Sequence, residues 1–198
     1  MGVCEKGAVM NPTLARTLVL LAALIVPAAA RADEALWKLL QGGGQLVLVR
    51  HALTTPGVGD PEGMKLSDCA SQRNLSEEGR GHARRLGEVL RQRGIPIGEV
   101  LSSPWCRCIE TSKLALGREP VTEPALGNLF GRSDQAAGQL AKLRPLASRK
   151  PASGNTVMLS HGSTILALTG VSPDTSEMVI VTPQGGGKFT VAGRLLVR

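Results

Sequence analysis

Tyrosine is missing altogether, and two Trp and two Phe make up the whole aromatic complement of 198 residues. Without rings interleaved among Lys and Arg there is little on which bases could stack, so no nucleic-acid partner is expected despite a formal charge of +7. Cysteine is sparse as well. Cys4, Cys69, Cys106 and Cys108 include no C-x-x-C pair, so a metal site built from C-x-C and one distant cysteine is the weaker reading and no metal is expected. Also absent is an apolar run of the ~20 residues that cross a bilayer. The longest, inside Leu14 to Ala32, holds roughly a dozen.

That run follows basic residues, contains Pro27 and ends small-x-small at Ala30 and Ala32, which is the pattern of a secretory signal peptide. The expected organisation is a signal over residues 1–32, cleaved before Asp33, and one domain over 33–198, periplasmic or secreted, with no stable membrane insertion after cleavage. Met10 is an alternative start, and Cys4 lies before the apolar run, not at its end. Losing Lys6, Arg16 and Arg31 together with Glu5 lowers the formal charge from +7 to +5. A basic exported protein suits an anionic small substrate or an anionic cell-surface polymer. In a compartment that permits disulfides, the remaining Cys69, Cys106 and Cys108 predict one bridge, from Cys69 to Cys106 or Cys108, and one free thiol.

From Asp33, read as a cap, the pattern gives a short helix stopped by Gly42 to Gly44, then the strand "QLVLVR". Residues 52–73, rich in Gly, Pro and Asp, form a long loop of the kind that carries function. Ser76 caps a helix with Glu77 and Glu78 in its first turn, apolar Ala83, Leu86, Val89 and Leu90 at helical spacing, and Gly94 as its stop. The strand "GEVLSS" follows. Ser103 is the predicted cap of a third helix, with Pro104 at its first position and its end at Gly117. After an extended "PVTEP" and a loop around "LGNLFGR" comes a fourth helix from Ser133, interrupted or ended near Pro145. The strand "NTVMLS", the helix "STILALTG", and the strands "EMVIVT" and "KFTVAGRLLV", joined by "PQGGGK", complete the chain. Strands apolar throughout, alternating with helices, predict an α/β class: a three-layer α/β/α sandwich with a mainly parallel central sheet and an antiparallel edge strand.

In such a sheet, ligands sit beyond the carboxyl ends of the parallel strands, where helix N-termini also point. Three strand ends carry unusual groups: Arg50 and His51 after "LVLV", Ser102 and Ser103 before Arg107, and His161 after "VMLS". Each alone has an ordinary structural explanation. Together, like charges at one rim destabilise the fold unless an anion fills the middle, so the arrangement reads as a phosphate or sulfate pocket. Arg50 and Arg107 can clamp phosphoryl oxygens, and a neutral imidazole can attack phosphorus while the other histidine, protonated, donates to the oxygens. Thr54, Ser103 and Gly162 are candidate substrate-binding residues. His82, mid-helix, reads as a surface residue.

The stretches "LVLVRHALT", "NLSEEGRGHARRLGEVL", "EVLSSPWCRCIETSKLAL" and "VMLSHGST" resemble the histidine phosphatase superfamily, also called phosphoglycerate mutase-like, from about residue 45 to 182. The resemblance extends to an exported branch with periplasmic lipopolysaccharide core heptose phosphatase-type proteins. It implies the phosphoglycerate mutase-like sandwich, no cofactor, His51 as the phosphorylated nucleophile, Arg50 and Arg107 on the phosphoryl group, and His161 completing the pocket. Two departures stand out. Ala52 replaces the Gly of R-H-G, which is tolerated if φ there is not positive. Asn128 in "LGNLFG" stands where many members carry a proton-donating Glu, which leaves Asp60 and Glu62 of the long loop, and Glu123 and Asp134 near Asn128, as candidate donors. The expected function is a metal-independent phosphomonoesterase acting on a small phosphorylated substrate or a phosphorylated cell-surface glycan. The alternative is a weak or inactive relative that binds a phosphorylated glycan or lipid headgroup.

Overall fold

The computed structural model describes residues 1–2 and 28–197. All but the ends of the expected signal peptide, Met10 included, lies outside the described residues. The chain divides into Met1–Asp33 and Glu34–Arg198, and the second unit is the sandwich.

Helix α1 spans Ala28–Gln41. Asp33 therefore lies inside a helix and is not its cap, which corrects the sequence reading; the predicted stop is right, since Gly43 and Gly44 take φ of 70° and 75°. The strands are β1 Leu46–Arg50, β2 Ile97–Ser102, β3 Val121–Thr122, β4 Asn155–Ser160, β5 Met178–Gly185 and β6 Lys188–Leu195. The helices after α1 are α2 Glu77–Gln92, α3 Cys106–Leu116, α4 Ala136–Ser148 and α5 Gly162–Thr169. One six-stranded sheet runs in the order β3-β2-β4-β1-β5-β6. The first four strands are mutually parallel, and β5 and β6 are antiparallel at one side.

Alternation along the central strands sends side chains into two cores. Val47 and Val49 of β1 and Val157 and Leu159 of β4 face a cluster with Trp37 of α1, Leu86 and Leu90 of α2, Ala115 of α3, and Trp105 just before α3. Leu46, Leu48 and Met158 face the other, with Leu143 and Ala147 of α4 and Ile165 and Leu168 of α5. These are the three layers expected of strands apolar on both faces. Ser76 caps α2 as predicted, its side chain accepting from the N–H of Gly79, and Gly117 closes α3 at φ 65°.

Two local expectations fail. Pro145 neither interrupts nor ends α4, which runs on to Ser148, because buried Leu143 and Ala147 hold the last turn against the sheet. Ser103 does not cap α3: the helix starts at Cys106 with Trp105 at the cap position and no side-chain cap bond. The hydroxyl of Ser103 is engaged elsewhere.

Candidate active site

The three strands whose ends carry unusual residues are neighbours, with β4 between β2 and β1. The ladder continues one residue past them: His51 N–H donates to the carbonyl of Ser160 at 3.0 Å and Ser103 N–H to that of Leu159 at 2.9 Å. His51, Ser103 and His161 therefore stand side by side, with the two imidazole centroids 5.3 Å apart, edge to face. Arg107, in the first turn of α3, is fully buried beside them. Arg50 reaches back to donate from Nη1 to the carbonyl of Pro173 at 2.9 Å. Gly162 lies against it: a Cβ there would sit 3.3 Å from the Arg50 Nε.

The hydrogen bonds define both histidine tautomers. A carbonyl oxygen only accepts, so the 2.8 Å contact from His51 Nδ1 to the carbonyl of Ala52 places the proton on Nδ1 and leaves a lone pair on Nε2. Burial, aided by Arg107, Arg50 and Arg73, pushes the His51 pKa down to about 3, so the ring is neutral. For His161, Arg107 Nη2 lies 3.4 Å from Nδ1 and Ser103 Oγ 2.8 Å from Nε2, so Nε2 carries the proton and Ser103 accepts it. Burial first, then His51 and Arg107, holds His161 well below the usual histidine range. This runs against the expectation of a protonated second histidine: burial beside cations disfavours that charge while the pocket holds no anion, and the ring then carries a neutral N–H. Ala52 does not have positive φ, so it fits where Gly is usual.

Asp60 is not a free acid. Its carboxylate takes both arms of the Arg107 fork, Nη1 to Oδ1 at 2.6 Å and Nη2 to Oδ2 at 3.1 Å, and accepts from Trp105 Nε1 at 3.0 Å and from the N–H of Arg73 at 3.2 Å. Burial alone would raise its pKa, but the Arg107 guanidinium and these donors hold it below the ordinary value. Glu123 caps a 3-10 turn through the N–H of Ala125. Glu62 and Asp134 are exposed, and Thr54 pairs by backbone with Leu75; none of these four lines the cavity described below. Asn128 does line it, its Oδ1 accepting from Ser163 Oγ at 2.9 Å and from the N–H of Phe130 at 3.1 Å. Cys69 and Cys106 form the bridge, and Cys108 keeps a buried thiol whose pKa desolvation pushes up to about 12.

Arg73 went unnoticed in the sequence, where a single Arg in "SQRNLSEEG" looks like any solvated side chain. It closes the site from the end of the long loop. A cavity of about 400 Å³ is lined by Arg50, His51, Arg73, Arg107, Asn128 and His161, among others. The Nε–H groups of Arg50, Arg73 and Arg107 are buried and have no acceptor. Three such donors around a neutral imidazole suit an oxyanion with several oxygens. Among the described residues no three His, Cys, Asp or Glu side chains gather as a metal site.

Residues 46–132 match the family model of the Histidine phosphatase superfamily (branch 1). Over that segment the chain is similar to this superfamily. Solved structures share its fold. The protein histidine phosphatase SixA, bound to tungstate, aligns over 76% of this chain and 96% of its own at 21% identity, with a TM-score of 0.54. The product of an open reading frame of Mycobacterium tuberculosis aligns over 77% and 96% at 18% identity, TM-score 0.57. A phosphoserine phosphatase mutant from Entamoeba histolytica, in complex with phosphoserine, aligns over 76% and 95% at 15% identity, TM-score 0.51. No curated protein matches the sequence. The four residues singled out by sequence, Arg50, His51, Arg107 and His161, line one cavity.

Proposed function

We propose that the protein is an exported, metal-independent phosphatase that works through a phosphohistidine on His51. The observation that carries this reading is a neutral imidazole with a bare Nε2, set among three guanidinium groups whose Nε–H donors have no partner. Nε2 attacks phosphorus, the P–N bond forms, and the leaving oxygen departs with the electron pair of the P–O bond. The arginines take the charge of the phosphoryl oxygens as it spreads in the transition state. The Nδ1–H bond to the Ala52 carbonyl keeps the ring oriented and supports the positive charge it gains. Water then attacks phosphorus, the P–N bond breaks, and phosphate leaves with the proton shed by the water. Export is supported by the apolar segment ahead of Asp33 and by the Cys69–Cys106 bridge.

The test is turnover of a chromogenic aryl phosphate at pH 5 to 7, with and without chelator, beside His51→Ala. Turnover survives chelator and drops by at least ~10³-fold in the variant. Phosphate or vanadate binding with no turnover on any phosphomonoester would favour a binding protein on the same fold.

A further inference from the structure

The cavity is charged at its floor and apolar at its mouth. Val58, Phe130 and Leu166 are 87%, 58% and 45% exposed, and all three line it. Large apolar side chains left in water around a ligand cavity mark the surface that the rest of the ligand covers. At the mouth the Asn128 carbonyl oxygen is already engaged, accepting from the Ser163 hydroxyl and the Phe130 N–H. The lining contains no carboxyl group: of the acids near the arginines, Asp60 has both oxygens on Arg107, and Asp174, which acts on Arg50, lies outside the lining.

A lining without a carboxyl group to donate a proton constrains what can leave. An alkyl or sugar alkoxide is nearly as basic as hydroxide, the conjugate base of water (pKa ~15.7), and departs poorly unless protonated. A phenol ionises near ~10, as in tyrosine, so its anion leaves bare. General-acid help is typically worth ~10² to 10⁴, and its absence falls almost wholly on the basic leaving groups.

We infer that the leaving group taken by this site is an aryl oxygen, seated among Phe130, Val58 and Leu166, in place of an alkyl or sugar alcohol; this rests on the phosphatase reading above. As His51 Nε2 bonds to phosphorus, the P–O bond breaks toward oxygen, and the phenolate carries away the electron pair and takes its proton from solvent. The aromatic ring stacks on or edges against Phe130.

The test compares kcat/KM of the protein for nitrophenyl phosphate, phenyl phosphate, glycerol phosphate and glucose 6-phosphate at one pH, with vanadate inhibition measured alongside. Both aryl esters exceed both alkyl esters by ~10²-fold or more, and the aryl rate falls as the phenol becomes more basic. In Phe130→Ala the KM for phenyl phosphate rises several-fold, while the vanadate inhibition constant, which involves no leaving group, moves less. Alkyl esters within tenfold of phenyl phosphate, or a vanadate constant that rises as much as the KM, would overturn the inference and leave the phosphatase intact. No turnover of any ester and no phosphate on His51 would remove the phosphatase reading itself.

Discussion

Asp60 shows how far a residue's role depends on what the fold sets beside it. In the chain it is one acid in a Gly- and Pro-rich loop, a reasonable proton donor; in the structure it is the counter-ion of a fully buried arginine 47 residues away. Removing one partner of such a pair leaves an uncompensated buried charge. Asp60→Asn is expected to lower stability by about 3 kcal/mol, read by urea unfolding, and to raise KM because the Arg107 fork loses its anchor. The pH dependence of kcat keeps its shape, whereas a general acid in this position would take a limb of the profile with it. The residues on strand ends, Arg50, His51 and His161, were legible because buried strands rarely end in cations, and helical or strand periodicity locates such an end without any tertiary knowledge. Asp60 and Arg73 were not, since their meaning is a pairing across a loop and nothing in local sequence separates a buried Arg from a solvated one. The neutral state of His161 was equally hidden, because desolvation depends on how completely α3 and the strands enclose it.

At the scale of elements, the loop 52–73 and the start of α3 form one device. The loop supplies Asp60 and Arg73, α3 supplies Arg107, and the Cys69–Cys106 bridge ties the two together one residue before Arg107. Around it, Gln72 Oε1 accepts from the N–H of Cys106 at 3.0 Å and Asn74 Nδ2 donates to the carbonyl of Cys69 at 2.6 Å. The bridge spans 37 residues, a closure worth about 3 to 4 kcal/mol in the chain-entropy account. Reduction, or the pair Cys69→Ser with Cys106→Ser, should cost that order of stability and weaken phosphate binding more than it slows chemistry, since it loosens Arg73 and Arg107 but not His51. Calorimetry for phosphate affinity beside kcat for an aryl phosphate separates the two effects. Cys108 stays unreactive toward thiol reagents until the fold opens, being buried with a strongly raised pKa. Close approach of α2 was also invisible in sequence, since nothing local to Gly79 or Gly87 says what packs against them. In the fold, a Cβ at either would run into a backbone carbonyl, of Leu53 or of Ala115. The layers themselves followed from strands apolar on both faces, whereas the start of α3 shifted because the Ser103 hydroxyl serves His161.

For the whole molecule, enclosing two neutral imidazoles links stability to pH. The folded chain holds His51 near a pKa of about 3 and His161 well below its ordinary range, whereas both titrate near ~6.5 once unfolded. Below ~6.5 the unfolded chain therefore binds more protons than the folded one, and stability falls as pH falls. Their joint contribution is present above that value and is lost steadily on the acid side, at up to ~1.4 kcal/mol per pH unit for each ring. Between pH 6.5 and 5, before most carboxylates titrate, the loss amounts to about 3 kcal/mol if both rings stay neutral in the fold. Asp60 adds to it only further down, because its depressed pKa makes its contribution present above ~4 and lost below. Urea midpoints measured across pH 5 to 7 show the slope, and His51→Gln, which cannot titrate, should remove about half of it while leaving the direction unchanged. Saturating phosphate raises the whole curve, because the anion binds the folded arginine cluster and not the open chain. A stability that is flat from pH 7 to 5 in the unliganded protein would mean that the rings take up protons in the fold, and the neutral nucleophile on which the chemistry depends would be lost with it.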